Sequence, residues 1–459
     1  MTNQTELSAL KLQGRAKINI ATSPDDADDS VIYETNSNII EVDSLGNIKA
    51  IAGGDVTLTV TSKVDSSIKT DVDVSVQLPE IKRVIENVDS FTNLTSWQLQ
   101  SGAGTSRVAD TVNTADTQSI KLVADKVIAF MRNATINVDL KDKTGLEVLF
   151  YVPDITAVSK LVIYISNTTA LTVNASKNIL QSDLKKGWNK VAFSLEGMTK
   201  SAGFDFDAPM LAMQVRVEPV SGITAEVSFD SISSVKANSA NVLFTMDDGW
   251  ISQYDDHYPI LKSRNLRGNI GLIKNKLSAI GYMTKTQFTE LYNLRWDIFN
   301  HTETHPDLSA LTKDQVKAEL GNCYDWLIAN GFERAADITA YPQGKYSDIV
   351  LSALEELNFT WGRSLINGID LESQRDNYLA KAFNLTPSVT ADNAIKAVNE
   401  AIAIGGTITF LTHKLIPESE ITTDAMYWSK ERYIALADKV KSEVEADRVI
   451  VPTVSELSK

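Results

Sequence analysis

Apolar and polar residues alternate in three different ways along this chain. Up to about Leu78, runs such as VTLTVTS (Val56 to Ser62) and VDVSVQL (Val72 to Leu78) repeat with period two, the pattern of half-buried β-strands. Gly46, Gly53 and Gly54 mark turns between them. From about Pro79 to Ala240 the runs LEVLFYV, KLVIYIS, NKVAFSL and MLAMQVRVE are again strand-like, and helical periodicity is scarce. From Asn241 the pattern changes. NVLFTM precedes a helical stretch around YDDHYPILKSR, RGNIGLI precedes TKTQFTELYNL, DIFNH precedes TKDQVKAELGNCYDWLIANG, and ITAYP precedes SDIVLSALEELN. Strand and helix in alternation predict a parallel sheet or barrel with helices outside, and catalytic groups at the C-terminal ends of its strands. The expected organisation is two all-β sandwich domains, 1–80 and 81–238, followed by an α/β domain, 239–459.

Composition agrees with a folded chain. Of 459 residues, 43% are hydrophobic and 22% charged, the balance of globular protein. The net charge of −15 repels phosphate backbones, which argues against nucleic-acid binding but leaves a neutral or partly deacetylated glycan open. The single cysteine, Cys323, excludes an intramolecular disulfide and a thiolate-rich metal site. It lies in LGNCYDWL with no basic neighbour, which marks a small core residue. The first residues lack a basic stretch followed by an apolar run, so no secretory signal is expected. No stretch reaches the roughly 18 apolar residues of a membrane span.

The chemistry concentrates in the last segment. Asp247 and Asp248 end the apolar run VLFTM and are followed by Gly249. Alone they read as a turn, since Asp-Gly is a turn dipeptide. At the end of a buried strand, however, two adjacent carboxylates disfavour joint ionisation, and a divalent cation removes that cost. His301 and His305 lie in NHTETHPDLS, and an i, i+4 spacing places two imidazoles on one side of a single helical turn that Pro306 should end. One Asp with two His gives three ligands and open positions for water, a catalytic rather than structural arrangement. Zinc is the expected metal, with cobalt, nickel, manganese and iron compatible. His257, in YDDHYP, reads as a solvated surface residue, while Tyr427 and Trp428 read as core or as the floor of a sugar site.

Three resemblances follow from the motifs. TMDDG (Thr245 to Gly249), NHTETHP, AYPQG (Ala340 to Gly344) and FLTH, in this order, resemble the polysaccharide deacetylase family, the NodB-homology group also called carbohydrate esterase family 4. The resemblance implies a distorted (β/α)7-type barrel and hydrolysis of N- or O-acetyl groups with a divalent metal, Zn2+ first. By position it makes Asp247 the general base and His413 the general acid. Asp248, His301 and His305 become the metal ligands, and Thr302 the residue that holds the histidine loop. The third motif departs from the common R-P-P-Y-G form: Ala340 replaces the arginine and Gln343 the tyrosine. It looks like the A-Y-P-Y-G version of members acting on cell-surface poly-N-acetylglucosamine. Tyr341, Gln343 and Arg363 are candidate substrate or oxyanion contacts, with the Gln343 N–H as oxyanion donor. Arg363 or Lys381 is the candidate replacement for the missing guanidinium. The family's Asp–Trp fourth motif is not recognisable. IIEVDSLGNIKAIAGGDVTLTV resembles group 2 bacterial Ig-like domains, and KKGWNKVAFSLEGM with AEVSFDSISSV resembles jelly-roll carbohydrate-binding modules. In the latter, Trp97 and Trp188 are either sugar platforms or core, and Trp188 is expected in the core. Together these imply an acetylated polysaccharide partner such as capsule, O-antigen or a poly-N-acetylglucosamine-like polymer. They also imply an extracellular, cell-surface or phage-virion location, with homo-oligomerisation if virion-borne. The alternative is a glycan-binding protein whose barrel has lost catalysis.

Overall fold

A computed structural model describes residues 7–458 except 21–27, 29, 36, 101–104, 113–117 and 372–376. The first segment folds into a four-stranded and a three-stranded sheet. Their inward positions, Val56, Leu58, Val60, Val72, Val74 and Val76 among them, share one core, as period-two alternation requires. The second segment forms two six-stranded antiparallel sheets packed face to face. Trp97 lies in that core, stacked on Phe91 at 4.3 Å with its Nε1–H donated to Asp89 Oδ1 at 3.0 Å, so it offers no sugar platform. Trp188 corrects the expectation of a core residue. It is half-buried, edge-on to Tyr151, and borders a small cavity between this sandwich and the C-terminal domain.

The third segment is a curled parallel sheet. Its main path runs Trp361–Arg363, Ala335–Ala340, Asp297–Asn300, Asn269–Leu272, Ala240–Met246, Thr407–Thr412, Phe383–Asn384, and Val449–Ile450 also pairs with the central strand. All these pairings are parallel. Ala240–Met246 is buried throughout, the expected state of a strand covered on both faces. One backbone bridge between Arg363 and Ala380 brings the two edges of the sheet towards each other. The helices Lys313–Ala329 and Ala391–Ile404 each begin with a threonine, Thr312 and Thr390, in a reciprocal capping box that satisfies the free N–H groups of the first turn. Among the described residues no helix is long and apolar enough to cross a membrane.

The sandwich and the sheet domain are tied by polar contacts, two of them part-buried. Glu400 accepts from the Ser194 N–H at 2.9 Å, Arg83 Nε donates to the Ile404 carbonyl at 2.7 Å, and the Asn367 N–H donates to Ser182 O at 3.0 Å.

Candidate active site

Parallel strands put all their C-terminal ends on one side, and the candidate residues meet there. The Asp247 N–H donates to Thr412 O at 3.1 Å, extending the sheet by one residue. The chain then turns sharply through Asp248 and Gly249, with φ of 78° and 77°. Aspartate tolerates this left-handed region. Glycine is required next, because a Cβ on Gly249 would lie 2.9 Å from Phe288 Cζ.

The two histidines arrive differently from the expected helical turn. Residues 301–305 form a loop in which Thr302 and His305 are left-handed, with φ of 69° and 67°. Thr302 Oγ1 accepts the His305 N–H at 2.9 Å, and the Thr302 N–H is donated to Asn300 Oδ1 at 2.9 Å. Pro306 forbids helix at His305, and these hydrogen bonds supply the bend instead. The imidazoles end with centroids 4.9 Å apart.

The Asp248 carboxylate is divided. Its Oδ2 accepts the Trp250 indole N–H at 2.9 Å. Its Oδ1 lies 3.4 Å from His301 Nε2 and 3.3 Å from His305 Nε2. His301 Nδ1 sits 2.9 Å from the Ala340 carbonyl, which only accepts, so the neutral ring carries its proton on Nδ1 and turns the Nε2 lone pair to Asp248. Asp248 Oδ1 and His301 Nε2 are both buried without a hydrogen-bond partner among the described residues. A lone pair facing a carboxylate oxygen is repulsive unless a cation lies between them. Ligand bonds of about 2.0–2.2 Å around a tetrahedral cation place ligand atoms about 3.4 Å apart. The observed separations match that edge, and the three ligand atoms lie within 4.8 Å of one another. The residues therefore fit a divalent metal.

Asp247 is held separately. Arg363 Nη2 lies 2.6 Å from its Oδ1 and also contacts Oδ2, and both side chains are buried. In the sheet register Arg363 pairs with Ala340, so the guanidinium missing at position 340 is supplied from the adjacent strand. Lys381 lies instead beside Asp370 and Trp188 in the cavity against the sandwich. Burial would raise the Asp247 carboxyl, but Arg363, His301 and His413 together outweigh it, so the group stays below the usual carboxylate range. Burial likewise opposes ionisation of Asp248, and His301, His413 and His305 together override it downward. In His301 burial is outweighed by Asp247 and Asp248, which raise it, whereas burial lowers His305. Burial also lowers His413, which follows Thr407–Thr412 and whose Nδ1 finds no partner among the described residues.

Other candidates fall elsewhere. Tyr341 is turned inward, its hydroxyl donated to Tyr378 O at 2.6 Å and its N–H to Arg363 O at 3.0 Å, so it offers neither ring nor amide to a substrate. Gln343 is exposed and left-handed, with φ of 57°. Tyr427 is half-buried and Trp428 buried, the latter donating its indole N–H to Val389 O at 2.8 Å. His257 corrects the surface expectation. It lies on a wide helical turn, fully buried, with Nε2 3.0 Å from Thr412 Oγ1 and its ring against Tyr433. Burial holds it down to about 4. Cys323 is core, as expected, its thiol pushed up to about 12 by burial.

Residues 234–362 match the family model for polysaccharide deacetylases. This segment is a polysaccharide deacetylase domain. A curated relative, YxkH of Bacillus subtilis (strain 168), whose name assigns it to the polysaccharide deacetylases, is 30% identical over 137 residues. That match covers 30% of this chain and 49% of the relative, so the chain spans about half of the curated relative it matches. Among solved structures, the Streptococcus pyogenes deacetylase PplD is 24% identical, with 34% of this chain and 69% of that chain covered at a TM-score of 0.31. A family 4 carbohydrate esterase from Streptomyces lividans is 13% identical, with 48% and 95% covered at a TM-score of 0.32.

Two further residues of the deacetylase domain have no counterpart among the motifs. Trp250 is clamped between Tyr282, stacked at 4.1 Å, and Lys414 Nζ, 3.5 Å above its ring, and it fixes Asp248 Oδ2. Gln253, fully buried, donates its amide to both the Asp247 carbonyl and the His413 carbonyl, the latter at 3.1 Å. It thus ties together the strand ends that carry Asp247 and His413. Both follow the DDG turn closely, and that proximity is their only signal in the sequence.

Proposed function

We propose that this protein is a metal-dependent hydrolase that removes N- or O-acetyl groups from a cell-surface polysaccharide. The observation that carries the reading is the Asp248–His301–His305 cluster, with two buried atoms that lack partners, beside an Asp247 clamped by Arg363. A divalent cation held there, zinc by the chemistry of the ligand set, supplies Lewis acidity that makes water a nucleophile near neutral pH and polarises the acetyl carbonyl.

The chain's own residues supply the rest. Asp247, kept ionised by Arg363, accepts a proton from the attacking water as its oxygen bonds to the acetyl carbon. The Gln343 N–H, on its left-handed turn, donates to the oxyanion, a contact typically worth about 3–4 kcal/mol. The bond from carbon to the sugar nitrogen or oxygen then breaks. His413 delivers a proton to that leaving atom, and its lowered basicity makes its protonated form a readier donor. Acetate and the free amine or hydroxyl are the products.

The AYPQG variant of the third motif supports a poly-N-acetylglucosamine-like polymer, with capsule and O-antigen as related targets. Two β-sandwich regions ahead of the enzyme domain support an extracellular, cell-surface or phage-virion setting. The test is acetate release from a panel of acetylated polysaccharides by the full chain, with Asp247→Asn as control. Release that depends on added metal and disappears in the variant is expected. No release from any polymer by metal-loaded protein sinks the proposal.

A further inference from the structure

The opposite end of the same sheet holds a second cluster. Arg267, Arg295 and Arg334 lie just ahead of Asn269–Leu272, Asp297–Asn300 and Ala335–Ala340, three strands that are neighbours in the sheet. The arginines therefore gather at the N-terminal ends of the strands, away from the deacetylase site. They line a cavity of ≈ 320 Å³ whose far wall is Gly53 and Gly54 of the first β-domain, with Thr453 and Ser455 at its side.

The charges there do not balance. Arg267 is paired with Glu456, Nη1 to Oε1 at 3.0 Å and Nη2 to Oε2 at 2.8 Å. Arg334 Nε contacts Asp297 Oδ1 at 3.1 Å, and its Nη2 donates to the carbonyls of Tyr292 and Trp296. Both carboxylates are further engaged. Glu456 accepts the N–H groups of Gly53 and Thr453, each at 2.8 Å, and Asp297 Oδ2 accepts that of Ser455 at 2.9 Å. Arg295 is left over. Its side chain makes no hydrogen bond or ion pair among the described residues, and its buried Nε is unsatisfied. It is held in place by a left-handed backbone, φ 65°, and by its carbonyl, which accepts from Arg267 Nη1 at 3.2 Å.

Three guanidinium groups against two carboxylates leave one positive charge in a half-closed cavity. Arginine does not escape such a position by losing its proton. Burial and the neighbouring Arg334 and Arg267 all disfavour the charged form of Arg295. The whole chain carries a net charge of −15, so a bare cationic pocket is an exception on it. We propose that this cavity is an anion site that binds an oxyanion of the phosphate class, with the Arg295 fork as its main donor and Arg334 Nη1 beside it. The anion bridges the first β-domain and the deacetylase domain. A free phosphate and a phosphoryl group carried on a larger molecule share this chemistry.

The test uses the full chain at constant ionic strength, with chloride as the reference anion. Inorganic phosphate and glycerol 3-phosphate are titrated separately by calorimetry, and the midpoint of thermal unfolding is followed. Saturable binding in either arm, with the midpoint raised by about 5 °C at a hundredfold excess over Kd, is expected. Tighter binding of glycerol 3-phosphate identifies a carried phosphoryl group, and equal binding identifies the free ion. Arg295→Gln breaks no hydrogen bond or ion pair among the described residues, so it folds, loses at least tenfold in affinity, and in chloride unfolds at a higher temperature than the parent because the like-charge repulsion is gone. Arg295→Lys retains part of the response. Phosphate that shifts parent and Arg295→Gln equally, or neither of them, overturns the proposal.

Discussion

The two ends of the parallel sheet in the deacetylase domain present opposite kinds of unsatisfied group. At the C-terminal ends the Asp248–His301–His305 cluster leaves two buried acceptors without partners among the described residues, Asp248 Oδ1 and His301 Nε2, while Arg363 Nε beside it is an unpartnered donor. At the N-terminal ends the unsatisfied atom is a donor, Arg295 Nε. Each end also contains a buried or half-buried ion pair: Arg363 with Asp247 above, Arg267 with Glu456 below. The contrast teaches that the pairs themselves are structural. What marks a ligand site is a cluster of groups left over once the pairs are formed: clustered lone pairs call for a cation, an uncompensated guanidinium for an anion.

The largest effect tests the upper end. Asp248→Ala removes the oxygen that both histidines face, and metal affinity should fall by more than about 100-fold, with acetate release lost in parallel. Metal content after dialysis measures it, and stoichiometric metal in the variant contradicts the cluster. Next comes the ion pair at the same end. Arg363→Met leaves the Asp247 charge buried and uncompensated, so unfolding in urea should show a loss of about 3–5 kcal/mol, with metal content retained.

His257 sharpens the comparison, being buried at the same end without a share in the cluster. Its folded value of about 4 lies below the unfolded histidine value, about 6.5, so between these the unfolded chain binds the extra proton. Its contribution, up to about 3 kcal/mol, is therefore complete above pH 6.5 and lost as pH falls towards 4. His257→Asn should flatten that part of the stability profile and leave metal content unchanged. A slope equal to the parent's would show that other groups dominate. The smallest effect belongs to Trp250→Phe, which keeps the stack on Tyr282 but frees Asp248 Oδ2. Metal affinity should drop by about tenfold, read by chelator competition, with the fold intact.

The strands and the cluster of Asp248, His301 and His305 were legible because both obey local rules. Val56 to Ser62 alternates with the pleat, Asp248 and His301 directly follow apolar runs that read as buried strands, and His305 lies four residues further on. His257 misled because its surroundings, YDDHYP, are polar in sequence, while the wide turn at Gln253–His257 rotates the ring towards Tyr433. The replacement for the missing arginine was one of two candidates on composition, and only the register that sets Arg363 beside Ala340 distinguishes it from Lys381. The histidine spacing was informative although its geometry was not helical, since a loop with two left-handed residues brings positions four apart together just as well.

By itself, then, the sequence determined the order of sheet types, the residues able to ligate a cation, and the strand ends from which they project. These follow from periodicity and from side-chain chemistry, which are properties of neighbours in the chain. The tertiary structure decided which groups are paired and which are left over: Arg363 on Asp247, Trp250 on one oxygen of Asp248, and Arg295 without a hydrogen bond or ion pair among the described residues. Pairing depends on strand register and on how domains close over one another, and those are distances between residues far apart in the chain.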